Sequence, residues 1–196
     1  MRLADYITDY LVDNGYIPPE EHSIYSYGFD VIVYTIWSTA LLILMGLLMK
    51  QFLASLIIIF GFYSLQSVGG GYHAKTHFRC MLTMIIGLYL GLHFVNLRDF
   101  PIILWTLFFV NSIILLVVPL VLHPNKAYLK RINNHLVVKS FLLTSSLIII
   151  TVCVNTYTST FLYAFAATFT LAGISRVSGK ILYQRIQIQS SNHDFD

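Results

Sequence analysis

Six long apolar stretches, separated by short polar segments, occupy most of the chain after residue 30. A helix needs about 20 mainly apolar residues to cross the hydrocarbon core of a bilayer. The stretches are close to that length, although the second is short, so the pattern predicts six transmembrane helices. Their predicted bounds are 31–49, 52–65, 81–97, 101–122, 141–157 and 159–175. The fourth begins at Pro101, and proline is favoured in the first turn of a helix.

An amphipathic segment precedes the first predicted span. Residues 2–14 predict a short helix with an apolar and an acidic stripe, formed by Leu3, Ile7, Tyr10 and Leu11 and by Asp5, Asp9 and Asp13. Asn14-Gly15 and Pro18-Pro19 end this helix. It is too short to span, so we expect it to lie at the membrane surface. Interfacial helices usually carry a cationic polar face. Because this one is anionic, we expect it to dock on basic loops of the same or a second chain.

Composition supports the membrane assignment. The chain has 196 residues, of which 57% are hydrophobic and 11% are charged, whereas a soluble domain carries about 25% charged residues. We therefore expect an all-α integral membrane protein with a single domain over residues 1–196. Its parts are an interfacial helix and loop (1–30), six spans (31–175) and a tail (176–196). The net charge of +3 gives no reason to expect nucleic acid as a partner. Cys80 and Cys153 indicate no disulfide framework.

The positions of lysine and arginine predict the orientation of the spans. With six crossings, both termini lie on one side, together with the loops after the second and fourth spans. Ten of the 12 Lys and Arg residues fall on that side. They are Arg2, Lys75, Arg79, Lys126, Lys130, Arg131, Lys139, Arg176, Lys180 and Arg185. Only Lys50 and Arg98 fall on the other side. Because cytoplasmic loops are enriched in Lys and Arg, both termini and both loops are predicted to be cytoplasmic.

The segment SVGGGYHAKTHFRC, residues 67–80, interrupts the apolar pattern and gathers reactive side chains. Cys80 lies near His73 and His77 and beside cationic residues, which favour the thiolate form. A nucleophile near a base is the minimum that covalent acyl transfer requires. The backbone N–H groups of residues 69–71 are suited to stabilise a developing oxyanion. The segment is therefore a candidate active site for acyl chemistry.

The residues alone leave the identity of the base open. In a straight helix His73 would lie about 10 Å from Cys80 along the axis, which is too far for direct proton transfer. Spacing therefore favours His77, unless the glycines let the chain bend. In a purely structural interpretation the glycines form a turn and the histidines lie on the surface. A cysteine in a membrane helix is usually a packing residue, and Cys153 is assigned that way.

A metal site is a further alternative at this segment. His73, His77 and Cys80 share one face of an ideal helix and would suit zinc. However, the segment lacks the glutamate of an HExxH motif, and Lys75 and Arg79 would repel the ion. We expect no metal ion and no other cofactor.

GGGYHAKTHFRC resembles the signature of the accessory gene regulator B (AgrB) family. These are membrane cysteine endopeptidases of Gram-positive bacteria that trim a propeptide and help to cyclise it into a quorum-sensing signal. The family motif, Gly-Gly-x-His-Ala with a cysteine seven residues after the histidine, corresponds to residues 70–74 and Cys80. Residues 20–34 and 118–131 resemble the segment before the family's first span and its cytoplasmic loop with proline and lysine. The likeness extends over nearly the whole chain.

The resemblance implies that Cys80 is the nucleophile and His73 the general base, and it leaves His77 as a loop residue. It also implies a short amphipathic propeptide as the substrate and a thiolactone or lactone as the product. The protein is then expected in the bacterial cell membrane, with its active site on the cytoplasmic side. A homodimer is expected from the family and from the exposed acidic helix. Many members carry an arginine shortly before the glycines, where this chain has Gln66.

Two further sets of candidate site residues follow. Candidates for an oxyanion contact, or for orienting His73, are Gln66, Ser67, Gly70 and Gly71. Candidates for binding an acidic propeptide tail are Lys75, Arg79, Lys126, Lys130 and Arg131. The cations of the second cytoplasmic loop equally fit a role as topology signals alone.

The alternative function is a small membrane permease for a peptide. Such proteins often bind their substrate at the membrane midplane, between helices that are broken at matching places in two halves. This chain has one glycine-rich break, at residues 69–71, and it lies at the predicted cytoplasmic edge. A purely structural scaffold is the third possibility, but it gives His73 and Cys80 no role.

Overall fold

The computed structural model describes residues 3–72, 76–118, 133–157 and 161–193. In these ranges the chain forms seven α-helices and two short 3-10 helices, with no strand. The α-helices are α1 (Leu3–Asp13), α2 (His22–Leu48), α3 (Phe52–Gly69), α4 (His77–Leu92), α5 (Pro101–Val117), α6 (Asn133–Tyr157) and α7 (Leu162–His193). The 3-10 helices are Pro19–Glu21 and His93–Leu97. The prediction of an all-α protein is confirmed for this part of the chain.

Four helical segments are long and apolar enough to cross a membrane: Pro19–Leu48, Phe52–Gly69, Phe78–Leu97 and His135–Thr156. Helix α5 is also apolar but shorter, and residues 119–122 of its predicted span lie outside the described residues. Helix α7 is absent from these four because it carries Thr, Ser and Gly residues and Arg176. The apolar helices indicate a membrane-associated protein.

The chain forms two compact units, Met1–Leu44 and Met45–Asp196. In the first unit, α1 is joined to the first turns of α2 by two side-chain contacts. The Nε2 atom of His22 lies 2.8 Å from Asp9 Oδ1, and Ser26 Oγ donates to Asp5 Oδ1 at 2.7 Å. Asp5 and Asp9 of the acidic stripe therefore contact polar groups of α2. The basic residues 73–75 and 119–132 lie outside the described residues, so docking of the stripe on basic loops stays a prediction. Asp13 is exposed and the Asp9 side chain is about half exposed, and the homodimer stays a prediction.

The face of α1 next to the acidic stripe is exposed and largely aromatic. Leu3, Tyr6 and Tyr10 are 59%, 62% and 58% exposed, whereas Ala4 and Thr8 are buried. Tyrosine is enriched where protein meets the boundary between membrane and water. This face therefore suits the predicted interfacial position.

Helix α7 forms the centre of the second unit, where it packs against α3, α4 and α5. Its buried face consists mostly of small residues, namely Ala164, Ala166, Ala167, Thr168 and Ala172. Small residues let neighbouring membrane helices approach closely. Asn111 of α5 donates to Thr170 Oγ1 at 3.3 Å, so a polar contact also joins the two helices. Because α7 is surrounded by protein, it tolerates polar residues that a lipid-facing helix would not.

Several helices extend beyond their predicted spans, among them α3, which ends at Gly69, and α6, which begins at Asn133. Helix α2 begins at His22, well before residue 31, and α7 continues to His193 although the sequence predicted a tail after residue 175. Hydropathy detects the part of a helix that matches the hydrocarbon core, and a helix can continue past it with polar residues. The single-domain organisation over residues 1–196 stays a prediction.

Candidate functional site

Cys80 lies in the first turn of α4, and its side chain is exposed. Thr76 caps this helix, since its side chain accepts a hydrogen bond from the N–H of Arg79 at 3.3 Å. The N–H of Cys80 donates to the carbonyl O of Thr76 at 3.0 Å, which closes the first helical turn. The positive end of a helix dipole favours a nearby anion, and thiolates are stabilised at such positions. The local structure therefore suits a reactive, accessible sulfur at position 80.

Several predicted site residues lie outside the described residues. They are His73 and Lys75, in residues 73–75, and Lys126, Lys130 and Arg131, in residues 119–132. The side chain of His77 is likewise not described, although its backbone begins α4. The pairing of Cys80 with His73 and the binding of an acidic tail by the lysines and arginines therefore stay predictions.

The glycine segment ends α3 and turns the chain. Gly70 has φ 65° and ψ −174°, a conformation that is essentially restricted to glycine, and its N–H donates to the carbonyl O of Gln66 at 3.0 Å. The N–H of Gly70 is thus used to cap α3. Gly71 is buried, and a Cβ there would lie 2.6 Å from Ser175 Oγ and 2.9 Å from Gln66 Nε2. The segment terminates a helix and lies against α7.

The side chain of Gln66 connects the glycine segment to α7. Its Nε2 donates to the carbonyl O of Tyr72 at 3.2 Å and to Ser175 Oγ at 3.0 Å. An amide nitrogen has two hydrogens to donate, so both are engaged, while its buried Oε1 has no hydrogen-bond partner among the described residues. Gln66 therefore offers an acceptor to a neighbouring group, which fits an orienting role better than donation to an oxyanion.

The remaining described candidates are exposed. Ser67 lies on the outer side of α3 and donates to the carbonyl O of Ser64 at 2.9 Å. Arg79 is exposed beside Cys80 in the first turn of α4. Arg79 is therefore accessible to a substrate that approaches Cys80, whereas Ser67 is engaged with its own helix.

Arg176 of α7 is 2% exposed and lies directly behind the glycine segment. Its Nη1 donates to the carbonyl O of Leu115, and its Nη2 lies 3.4 Å from Ser140 Oγ. A Cβ on Gly69 would overlap Arg176 Nη2, so the guanidinium passes through the space that this glycine leaves. The charge therefore lies between the C-terminal ends of α3 and α5. Helix C-termini carry partial negative charge, and the described residues supply no carboxylate as an ion-pair partner.

These contacts place one end of several helices together. The C-terminal ends of α3 and α5, Ser140 of α6 and residues 175–179 of α7 all meet around the glycine segment. A small pocket at this point is lined by Leu65, Gln66, Gly70, Leu115, Ala172 and Arg176. The sequence analysis had placed the loops after the second and fourth spans on the same side as residues beyond 175. Residues 73–75 and 119–132 of these loops lie outside the described residues, so the side on which they lie stays a prediction.

Sequence reasoning missed three residues of this region: Ser175, Arg176 and Gly179. Arg176 was counted only as a topology signal, although an ionisable residue next to an apolar span is a recognised sign of function. Ser175 and Gly179 are four residues apart, which is the spacing of small residues at close helix contacts. These signals were present, but what the residues contact could not be read from them.

The described residues contain no group of three His, Cys, Asp or Glu side chains placed to hold a metal ion. The zinc alternative depends on the imidazoles of His73 and His77, which lie outside that description. It is therefore neither supported nor excluded by the contacts around Cys80.

A comparison with protein families places the chain in a known family. A family model described as AgrB, accessory gene regulator B, matches residues 4–176. The matched range contains α1 except its first residue, α2 to α6, the glycine segment, Cys80 and about the first half of α7. No curated protein and no solved structure matches the chain.

Proposed function

Because the chain belongs to the accessory gene regulator B family, we propose that it is a membrane cysteine endopeptidase that cleaves and helps to cyclise a quorum-sensing propeptide. Membership in the family implies a part in the processing of an accessory gene regulator autoinducer. The cysteine chemistry, the ring closure and the residues below belong to the proposal.

The observation that carries this proposal is the position of Cys80. Its thiol is exposed in the first turn of α4, after a capped N-terminus and beside Arg79. A cationic neighbour and a helix N-terminus both favour the thiolate, which is the nucleophilic form of cysteine. The glycine segment ends α3 and does not interrupt a spanning helix, so it does not resemble the broken helices of a permease.

The proposed reaction has two acyl transfers. His73 takes the proton of the Cys80 thiol, and the sulfur attacks a backbone carbonyl carbon of the propeptide. The peptide C–N bond breaks, His73 gives the proton to the leaving amine, and the C-terminal fragment departs. A thiol or hydroxyl within the bound peptide then attacks the thioester, which releases Cys80 and closes a thiolactone or lactone. Water must be kept away, because hydrolysis would consume the thioester.

The other site residues take supporting parts in this proposal. Gln66 orients the segment before His73 with its amide group. The oxyanion contact is assigned to the backbone at Gly71, because the N–H of Gly70 already caps α3. Basic side chains near the site attract the acidic tail of the propeptide, namely Lys75, Arg79, Lys126, Lys130 and Arg131. The working unit is a homodimer.

The proposal includes six spans with both termini and the active site on the cytoplasmic side. We expect Lys50→Cys and Asp99→Cys, made in a chain without Cys80 and Cys153, to react with an impermeant maleimide in intact cells. Tyr16→Cys and Asp196→Cys are expected to react only after the membrane is permeabilised. Labelling of either terminus in intact cells would overturn the orientation.

The experiment that tests the function uses the purified protein in liposomes. Its substrate is the short peptide expected from the neighbouring reading frame, with an amphipathic start, a central Cys or Ser and an acidic tail. We expect intact-protein mass spectrometry to detect the N-terminal peptide fragment on the enzyme, attached at Cys80 and removed by hydroxylamine, which cleaves thioesters. Complete processing without any such adduct, even after rapid acid quenching, would contradict the covalent mechanism.

A further inference from the structure

The backbone of Tyr72 is held by two helices that are distant from each other in sequence. Its N–H donates to the carbonyl O of Ser175 at 2.9 Å and lies 3.2 Å from Oγ of the same residue. Its carbonyl O accepts a hydrogen bond from Gln66 Nε2 at 3.2 Å. The same Nε2 donates to Ser175 Oγ at 3.0 Å. Both polar groups of Tyr72 are thus fixed, although Tyr72 itself lies outside any helix.

Gly179 allows the backbone of Tyr72 to approach the carbonyl O of Ser175 on α7. A helical side chain leans toward the helix N-terminus and covers the preceding turn, so a side chain at position 179 would cover the carbonyl of Ser175. A Cβ on Gly179 would lie 2.7 Å from the carbonyl carbon of Gly71 and 2.8 Å from the nitrogen of Tyr72. These neighbours are backbone atoms, so the glycine segment would have to move away from α7.

The carbonyl of Tyr72 belongs to the planar peptide unit that continues into His73. Hydrogen bonds that fix the Tyr72 carbonyl therefore restrict the position and direction of the chain where it enters His73, the proposed general base. We propose that Ser175 and Gly179 of α7, together with Gln66, are positioning residues of the reaction described above. They hold the peptide unit that presents His73 to Cys80. This inference rests on the proposed function, since it needs His73 as the base.

The expected effects follow from the geometry of proton transfer, which requires the two heavy atoms to lie about 3 Å apart. A displacement of about 1 Å lowers the rate on the order of 100-fold, and Gly179→Ala is expected to slow acylation of Cys80 by that factor. Ser175→Ala keeps the helix carbonyl but loses the contacts of Oγ. Loss of these hydrogen bonds is expected to slow the acylation of Cys80 by roughly 10-fold.

The test uses the full-length protein in liposomes with the propeptide described above. The initial rate of peptide attachment to Cys80 is measured over a range of propeptide concentrations. Misplacement of the base lowers the maximal rate and leaves KM within about two-fold. Alkylation of Cys80 by iodoacetamide at alkaline pH, where the thiol ionises without a base, is expected to stay at the wild-type rate.

Two matched variants serve as controls. Gly87→Ala adds a Cβ in α4 that would lie 3.4 Å from Leu171 Cδ2, which is an ordinary contact. Ser146→Ala removes an exposed hydroxyl of α6 that bonds only within its own helix, to the carbonyl O of Leu142. Both are expected to acylate at the wild-type rate.

The outcomes separate this inference from the function on which it rests. If the wild type is acylated, and Gly179→Ala and Ser175→Ala are acylated equally fast, the positioning role is refuted while the endopeptidase stands. If the wild type is never acylated, the proposed function fails and the positioning role fails with it. If Gly179→Ala does not fold, Ser175→Ala decides alone.

Discussion

Replacing Cys80 by alanine is expected to lower propeptide cleavage at least about 1,000-fold, because the attacking sulfur and the acyl-enzyme are both lost. The side chain is exposed in the first turn of α4, so its removal leaves no cavity in the core. Insertion and folding should therefore match the wild type. The measurement is the rate at which purified protein in liposomes converts the propeptide, followed by mass spectrometry of both fragments.

Cys153→Ala is the matched control for this prediction. Cys153 is also exposed, but it lies on α6 and has no part in the proposed reaction. We expect this variant to process the propeptide at the wild-type rate. A permease or a scaffold would tolerate the loss of either cysteine. Normal processing by Cys80→Ala would therefore refute the endopeptidase and leave those alternatives.

Replacing Arg176 by alanine is expected to cause the largest loss of stability. It removes a large buried side chain, and it leaves the carbonyl O of Leu115 and the hydroxyl of Ser140 without this donor. A cavity of this kind costs about 2–5 kcal/mol, and an unpaired buried acceptor costs about 1–3 kcal/mol. Relief of the buried charge offsets part of this cost. A net loss of about 3 kcal/mol corresponds to a fall in Tm of roughly 10 °C.

The measurement is thermal unfolding of the purified protein in the same detergent. Arg98→Ala removes an exposed arginine and should change the free energy of unfolding by less than about 0.5 kcal/mol. Arg176→Lys keeps the charge between the ends of α3 and α5 but loses the planar fork of donors, so its Tm should lie between the wild type and Arg176→Ala. Equal Tm values for Arg176→Ala and the wild type would contradict the structural role of Arg176.

The presence of several apolar helices could be predicted from the sequence because the bilayer imposes a length and a composition on each, whereas the number of six spans stays a prediction. The extents of α2 and α7 could not. The first turns of α2 are polar, and their contacts from His22 and Ser26 to the acidic residues of α1 join positions that periodicity does not relate. Beyond residue 175 the polar residues of α7 look like a tail, although the helix continues to His193.

The candidate site shows the same division. The motif from Gly70 to Cys80 identified the candidate segment, because cysteine, histidine and glycine next to each other in sequence are typical of acyl-transfer chemistry. Gln66 was singled out only for the arginine that it replaces. Its contacts to Tyr72 and Ser175 were not predictable, since Ser175 lies 109 residues away in the chain.

The sequence by itself determined that this is a membrane-associated protein of the accessory gene regulator B family, helical in the part that the structure describes, with a candidate active-site cysteine segment. Hydropathy and a local motif are properties of neighbouring residues, so they need no tertiary information. Only the tertiary structure decided that α7 supports the glycine segment, and that a buried arginine lies where two helices end. Those facts depend on contacts between residues far apart in the chain, which form only when the helices pack.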